Sequence, residues 1–394
     1  MFSYRCQVVI VGAGIAGLWL YRHLLSQGRD VLLLENDRAG AAQTLSSQGI
    51  LHGGVKYGLD GSNRAIAQLL KSQPPIWLEA ISGKGPVSLK GTEVLAYQQY
   101  MWAGGGWFAK AATAVGARAM QGEVREMDKD GWPLALIDGG HKGNVYRLAE
   151  SVLDTKTVVQ ALLRGAESHA KRAEIEKFEL GTHGQLKALV VRGEPESDPM
   201  RIEADVFIFT AGKGNERAAE ELGFGIGVTQ RRPLKMLMAR GRLPELFGHA
   251  VTSSPRPRAT ITSHILKGDT VWYIGGQVAE TGATLDDAAA IENAKSEMKL
   301  LFPNLGWSKI RWAVHPIDRA EPNQTKGQLP DGPALLTKGN TALAWPTKLV
   351  YAPALAAKTT EFITAQLNKE AKTPSPPPPL PNMEVGTFPW ERAW

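Results

Sequence analysis

The chain has 394 residues, 43% hydrophobic and 21% charged, which suits two or three packed domains and excludes a disordered or fibrous protein. Its 45 lysines and arginines against 39 acids leave a net charge of +6 with no long basic block, so no motif supports a dedicated nucleic-acid surface. Cys6 is the only cysteine, which excludes an intrachain disulfide or a multi-cysteine metal site and fits a reducing compartment.

No apolar run approaches the roughly 20 residues of a membrane span. The leading MFSYRCQ is too short for a signal peptide, so a cytoplasmic protein is expected. The first element is a strand, Val8 to Val11, which runs into Gly12-x-Gly14-x-x-Gly17 and a helix reaching Gly28. A second apolar strand, Val31 to Leu34, then ends in the acid Glu35, 18 residues beyond Gly17. In such a unit the first glycine permits the tight turn, the second admits a pyrophosphate to the backbone and the third lets helix and sheet pack. The N–H groups of Gly14, Ile15, Ala16 and Gly17 lie at the positive end of the helix, and Glu35 with Asn36 is placed to meet an adenosine ribose. Together these features predict a dinucleotide site.

Residues 36–49 then form a loop of small residues, with Thr44, Ser46, Ser47 and Gly49 before Ile50, suited to close approach of a second phosphate and a flat ring. It continues as SSQGILHGGVKY, residues 46–57. This segment resembles the corresponding part of FAD-dependent glycerol-3-phosphate dehydrogenases, and more broadly of the D-amino acid oxidase and glycine oxidase superfamily. The resemblance implies that the nucleotide is noncovalently bound FAD. It also implies a Rossmann-like FAD-binding domain, a parallel sheet with flanking helices, joined to a substrate domain on a large mixed or antiparallel sheet. In the resemblance His52 is a candidate base or flavin contact.

Further along, Ala65 to Leu78 reads as a helix interrupted at Pro74-Pro75, and residues 85–138 as short strands between glycines, with Trp102, Trp107, Phe108 and Trp132 as core or sheet-surface aromatics. Asp154 or Thr155 caps a helix running to about Lys171. The strand Ala173 to Leu180 follows, where the family implies an adenine contact at Ile175. Ala204 to Gly212 is a buried strand ending in Thr210-Ala211-Gly212, which matches the superfamily's second FAD signature. Strands at Leu234 to Gly241, Ala259 to Leu266 and Thr270 to Gly275, and a helix from Leu285 to Leu301 capped near Thr284 or Asp286, build the substrate half. There Tyr273 and His264 are candidates to touch substrate.

Residues 311–336 return towards the flavin. Arg319 is the first choice for the substrate anchor, because a guanidinium grips a carboxylate or phosphate bidentately. His315-Pro316 competes for the same slot, and Asp331-Gly332 matches the family pattern. Thr347, Lys348 and Leu349 resemble the turn beside the flavin pyrimidine in glycerol-3-phosphate dehydrogenases, with Trp345-Pro346 where relatives carry glycines. A helix from Ala354 to Gln366 follows. The proline-rich tail reads as a spacer or packed tail, with a ligand for a proline-binding module as the alternative, and ends in aromatic residues, Phe388 to Trp394.

The expected organisation is an FAD-binding domain at 1–80, 150–225 and 325–370, a substrate domain at 81–149 and 226–324, and a tail at 371–394. The expected activity is hydride transfer to flavin N5 from the C–H bond next to an amine or hydroxyl of a small acidic substrate. O2 or a quinone would accept the electrons, and the enzyme would be a monomer without a metal. The alternatives are an alcohol or polyol-phosphate dehydrogenase coupled to quinone, an FAD enzyme acting on a modified tRNA base, and a flavoprotein without turnover.

Overall fold

The architecture is that of a computed structural model describing residues 2–53, 64–103, 124–182, 184–252, 254, 256–323, 332–367 and 375–394. Two eight-stranded sheets organise it. The first is built from β1 (Phe2–Val11), β2 (Val31–Glu35), β8 (Ala170–Arg172), β9 (Glu174–Leu180), β10 (Leu186–Arg192), β11 (Met200–Phe209), β17 (Ala334–Lys338) and β18 (Thr341–Trp345). Its order is β17-β18-β11-β1-β2-β8, and β9 and β10 form a hairpin on β11. Between β18 and β8 every pairing along that order is parallel; β17 is antiparallel.

These central strands read as continuous apolar runs because both faces are covered. Val8, Ile10, Leu33 and Ile208 face one core, with the helix α1 (Ile15–Ser26) and the helix Ala352–Gln366. Val9, Leu32, Leu34 and Phe207 face another.

The second sheet runs β16 (Arg311–Pro322), β12 (Thr229–Gly241), β15 (Asp269–Gly275), β14 (Ala259–Leu266), β13 (Gly248–Ala250), β4 (Gln99–Trp102), β6 (Val145–Leu148), β5 (Val124–Met127). Alternation divides its faces. Leu237, Ala239, Trp272 and Ile274 pack beneath the helices Gln277–Gly282 and Asp287–Leu301, while Met236, Met238, Val271 and Tyr273 join the core shared with the first sheet. Two short strands, β3 (Val94–Ala96) and β7 (Val152–Leu153), pair separately.

Three local readings are corrected. The helix α2 (Arg64–Ile81) is not interrupted: Pro74 and Pro75 sit inside it. The lost N–H groups are offset by packing, with Trp77 fully buried, 4.6 Å from Trp19 between ring centroids, and its Nε1 donating to Val350 O at 3.0 Å. The helix opened by Asp154 stops at Leu163, before Gly165 at φ 72°, and residues 170–172 instead extend the parallel sheet beside β2. A short helix, Gln277–Gly282, stands where none was expected.

The caps agree with the sequence: Asp154 accepts from Thr157 N and Asp286 from Ala289 N. Trp102 is buried and Trp132 is half-buried against the core of the second sheet, whereas Trp107 and Phe108 lie outside the described residues.

Residues 375–394 form a strap over both sheets. Main-chain bridges join Asn382 to Lys171 and Val385 to Ala39. Phe388 and Trp390 are then buried on the second sheet.

Candidate functional site

The glycine turn has the tight geometry its sequence demands. Gly12 adopts φ 103° and lies so close to Ala211 that an added Cβ would stand 2.6 Å from its Cα. A Cβ on Gly17 would sit 1.9 Å from Gly12 O and 2.6 Å from Thr210 Oγ1. Gly14 is different: a Cβ there would meet only Thr44 Oγ1, at 3.3 Å. The two predicted signatures therefore meet, with Thr210 Oγ1 donating to Gly12 O at 2.7 Å and Thr210 N to Val11 O. Gly14 is the N-cap of α1 and makes no side-chain cap.

At the tip of β2, Glu35 Oε2 accepts from Ala13 N at 2.8 Å, and Oε1 accepts from Asn36 N at 2.9 Å and from Asp37 N at 3.3 Å. Burial pushes its pKa up against the pull of these three N–H groups. Further hydrogen-bond donors, such as ribose hydroxyls, would suit a carboxylate in that condition. Ala173 N, in the neighbouring strand segment, donates to Glu35 O, whereas Ile175 lies two residues further and its carbonyl takes Arg217 Nη1 at 2.8 Å.

The segment from Thr44 to His52 links this cradle to the second sheet. Thr44 Oγ1 accepts from Ile15 N at 2.9 Å, holding the loop against the first turn of α1. Ser46 Oγ is hydrogen-bonded to His315 Nε2 at 2.9 Å, and Ser46 O accepts from Tyr273 Oη at 2.9 Å. Ser47 Oγ turns back to Thr44 O. Gln48 Nε2 donates to both Thr260 O and Tyr273 O at 2.9 Å. Gly49 has a positive φ of 70° and a Cβ there would also strike Leu153 O, and Ile50 bridges to Val152. His52 ends the crossing beside β13, and Gly54 to Tyr57 of the family motif lie outside the described residues.

Register places His315, Ile317 and Arg319 on one face of β16, the face that carries Met236, Met238 and Tyr273. Arg319 stands directly opposite Arg232, which makes a two-pronged ion pair with the buried Glu321 at 2.7 and 2.8 Å. Arg319 itself is exposed. Burial raises the Tyr273 phenol above its usual range and the Arg319 charge opposes that shift, which puts the guanidinium within electrostatic reach of this face. His315, the competing residue, is pushed down to about 4, first by burial and then by Arg392, so at neutral pH it is an uncharged partner of Ser46.

The expectation that Tyr273 and His264 meet substrate needs correction. Tyr273 has no exposed surface and its hydroxyl is engaged by Ser46. His264 stacks on Trp390, with ring centroids 3.9 Å apart, and burial pushes it down to about 3. The C-terminal strap covers both.

On the other side of the cradle, Thr347 takes a left-handed φ of 59°. Lys348 precedes the turn Leu349–Tyr351 at the start of the helix Ala352–Gln366, and its Nζ lies 5.5 Å from the Tyr351 ring centroid. Ala211 and Gly212 close the cradle from β11, Gly212 beside Gln43.

One cluster escaped sequence reasoning. His52, Glu150 and His249 bring their nitrogen and carboxylate atoms within 4.8 Å of one another, the geometry of a possible cation site among the described residues. Their sequence separations of about 100 residues gave no motif to find.

The cradle fits FAD: glycines where a Cβ would collide, a helix N-terminus whose N-cap Gly14 carries no capping side chain, and a half-buried acid for ribose. The fold and site thus define a dinucleotide-binding protein with a second large sheet beside the cradle. The chain matches the FAD dependent oxidoreductase family, DAO, over residues 7–328, and belongs to that family. FAD is its cofactor. A probable FAD-dependent oxidoreductase of Pseudomonas aeruginosa is 34% identical, with 98% of each chain covered. The crystal structure of an FAD dependent oxidoreductase from that organism superposes with a TM-score of 0.82 at 30% identity, covering 99% of both chains. Glycine oxidase from Geobacillus kaustophilus shares the fold, with a TM-score of 0.65 at 15% identity over 93% of this chain and 96% of that one. So does L-alpha-glycerophosphate oxidase from Mycoplasma pneumoniae with FAD bound, with a TM-score of 0.66 at 12% identity over 95% and 98%.

Proposed function

We propose that this FAD-dependent oxidoreductase oxidises the C–H bond next to an amine or hydroxyl of a small acidic substrate, with Arg319 as the anchor for the acidic group. When bound, FAD supplies the two-electron oxidant, accepting a hydride at N5. The observation that carries the reading is the pair of opposed guanidiniums, Arg232 and Arg319, on the sheet face that looks towards the cradle. Arg319 shares that face with His315, whose ring holds Ser46 of the cofactor loop, and a guanidinium there can grip a carboxylate or phosphate bidentately.

The remaining residues have supporting roles in this reading. Gly12 to Gly17 and Glu35 with Asn36 bind the adenosine pyrophosphate end; Thr44, Ser46, Ser47, Gly49 and Ile50 line its path. Thr347, Lys348 and Leu349 lie beside the flavin ring, where Lys348 and the helix start favour negative charge on the reduced cofactor. The FAD is held noncovalently. The division of strands between the two sheets supports the FAD-binding and substrate halves drawn from the sequence. The glycine oxidase and glycerophosphate oxidase folds support amines and alcohols alike as substrate classes.

Anaerobic flavin bleaching with a panel of acidic amines and hydroxy acids tests the proposal. Arg319→Ala should raise the substrate concentration needed for half-maximal bleaching, by about 2–4 kcal/mol of binding, while FAD content stays at the wild-type level. Equal affinity in wild type and variant would remove Arg319 from the role.

A further inference from the structure

We propose that the C-terminal strap, residues 375–394, is a latch on the FAD site: the cofactor enters and leaves the cradle only when the strap lifts from the loop at Ala39 to Leu45. The latch rests on the FAD cradle and is independent of the choice of substrate.

The strap reaches the cradle through one peptide group. Gly386 N donates to Ala39 O at 2.9 Å, and Gly40 N, on the same peptide, donates to Ala13 O at 2.9 Å inside the glycine turn. Ala13 N in turn donates to Glu35 Oε2 at 2.8 Å. A chain of hydrogen bonds therefore runs from the strap to the acid at the ribose end of the cradle, and members of such a chain polarise one another. Ala39 is fully buried, and its own N–H donates to Glu384 O at 2.8 Å. Gly386 closes flush on the loop: a Cβ there would stand 2.9 Å from Ala41 Cα and 3.0 Å from Leu45 Cδ1.

The far end of the strap braces the same loop from the second sheet. Trp390 lies 5.1 Å from Tyr273 between ring centroids, and Tyr273 Oη donates to Ser46 O at 2.9 Å. Beside Trp390, Glu391 takes Lys156 Nζ at 2.9 and 3.0 Å, which ties the strap to the helix Thr155–Leu163.

The way the strap is held lets it open. Among the described residues neither eight-stranded sheet includes a strap residue, and its ladder contacts are two isolated bridges, Ala39 with Val385 and Lys171 with Asn382. Both sheets therefore stay intact when it lifts. A segment at a chain end, held by a few hydrogen bonds, opens at a fraction of the free energy of global unfolding. Docked, the strap fixes the loop at Ala39, Ala41 and Ser46. Lifted, it leaves Ala39 to Leu45 held from the cradle side, through Gly40 on Ala13 and Thr44 on Ile15.

Two variants of the full-length holoprotein test the latch, each read by exchange of bound labelled FAD for excess unlabelled FAD. Lys171 and Asn382 face each other as a non-hydrogen-bonded antiparallel pair, flanked by the bonds from Arg172 N to Pro381 O and from Met383 N to Ala170 O. Such pairs set their Cα atoms about 4.5 Å apart, within reach of a disulfide. In Lys171→Cys combined with Asn382→Cys, oxidation locks the strap and reduction frees it; Cys6, the one native thiol, is buried. The oxidised protein should exchange FAD at least about tenfold more slowly than the same protein reduced. Equal rates in the two states overturn the latch, as does exchange in the reduced protein no faster than its global unfolding.

Gly386→Ala works in the opposite sense, because its methyl pushes the strap off Ala41. Exchange should quicken about tenfold, the effect of one lost hydrogen bond, while FAD occupancy at saturation stays at the wild-type level. An unchanged rate in this variant overturns the latch even where the cysteine pair does not oxidise, and the cysteine pair decides where Gly386→Ala does not fold.

Discussion

A glycine can be needed for the fold or for a ligand, and the turn after β1 contains both kinds. A methyl on Gly17 meets Gly12 O at 1.9 Å, and Gly12 is itself fixed by Thr210 and Ala211, so nothing nearby can yield. Overpacking of this sort costs about 1–3 kcal/mol when side chains can shift, and more against backbone. A methyl on Gly14 meets only a threonine hydroxyl at 3.3 Å, and that residue has an ordinary φ of −73°. Gly17→Ala is therefore expected to lose about 3 kcal/mol or more of stability together with its FAD. Gly14→Ala should stay within about 1 kcal/mol of wild type in urea denaturation while its FAD affinity drops. Equal losses of stability in the two variants would contradict this division.

Features set by a few neighbouring residues were legible in the sequence; features set by distant chain segments were not. The glycine turn, Glu35, the caps Asp154 and Asp286 and the signature at Thr210 to Gly212 all depend on neighbours in sequence, and each stands where the pattern put it. The prolines of α2 misled because packing of Trp77 outweighs the local penalty. Tyr273 and His264 misled because a strap more than 100 residues downstream covers them. Glu150 and His249 were invisible because folding brings them to His52 from distant parts of the chain, which leaves no spacing to read.

The strap makes a prediction of its own. His264 is held neutral against Trp390 and titrates at about 3 in the folded chain, against 6.5 for a free imidazole. Below pH 6.5 the unfolded chain therefore binds the extra proton, so this histidine makes stability fall with falling pH until about 3. Between pH 6.5 and 4.5 its share is about 2 kcal/mol. His264→Gln should flatten the pH dependence of the urea midpoint by that amount. An unchanged slope would mean that the strap does not keep the ring dry.

At the scale of the molecule, two sheets with different partners share a single loop. Thr44 belongs to the cofactor cradle, whereas Gln48 donates its two amide hydrogens to β14 and β15 of the other sheet. Cofactor binding at one end of the loop is thereby tied to the folding of the sheet at the other. Saturation with FAD at 100 times its Kd adds about 2.7 kcal/mol to whatever unfolds together with the site. In the wild type that unit should be the whole chain. Release of FAD and exposure of the tryptophans packed in the second sheet, Trp102 and Trp272, should then follow one coincident transition. Gln48→Ala removes two hydrogen bonds worth about 2 kcal/mol together. It leaves Thr44 and the glycines untouched, so FAD should still bind. The two signals should then separate, with the tryptophan transition coming first and responding less to added FAD. If they remain coincident in the variant, the coupling runs through the packed core around Tyr273 and Trp390 instead of through the loop.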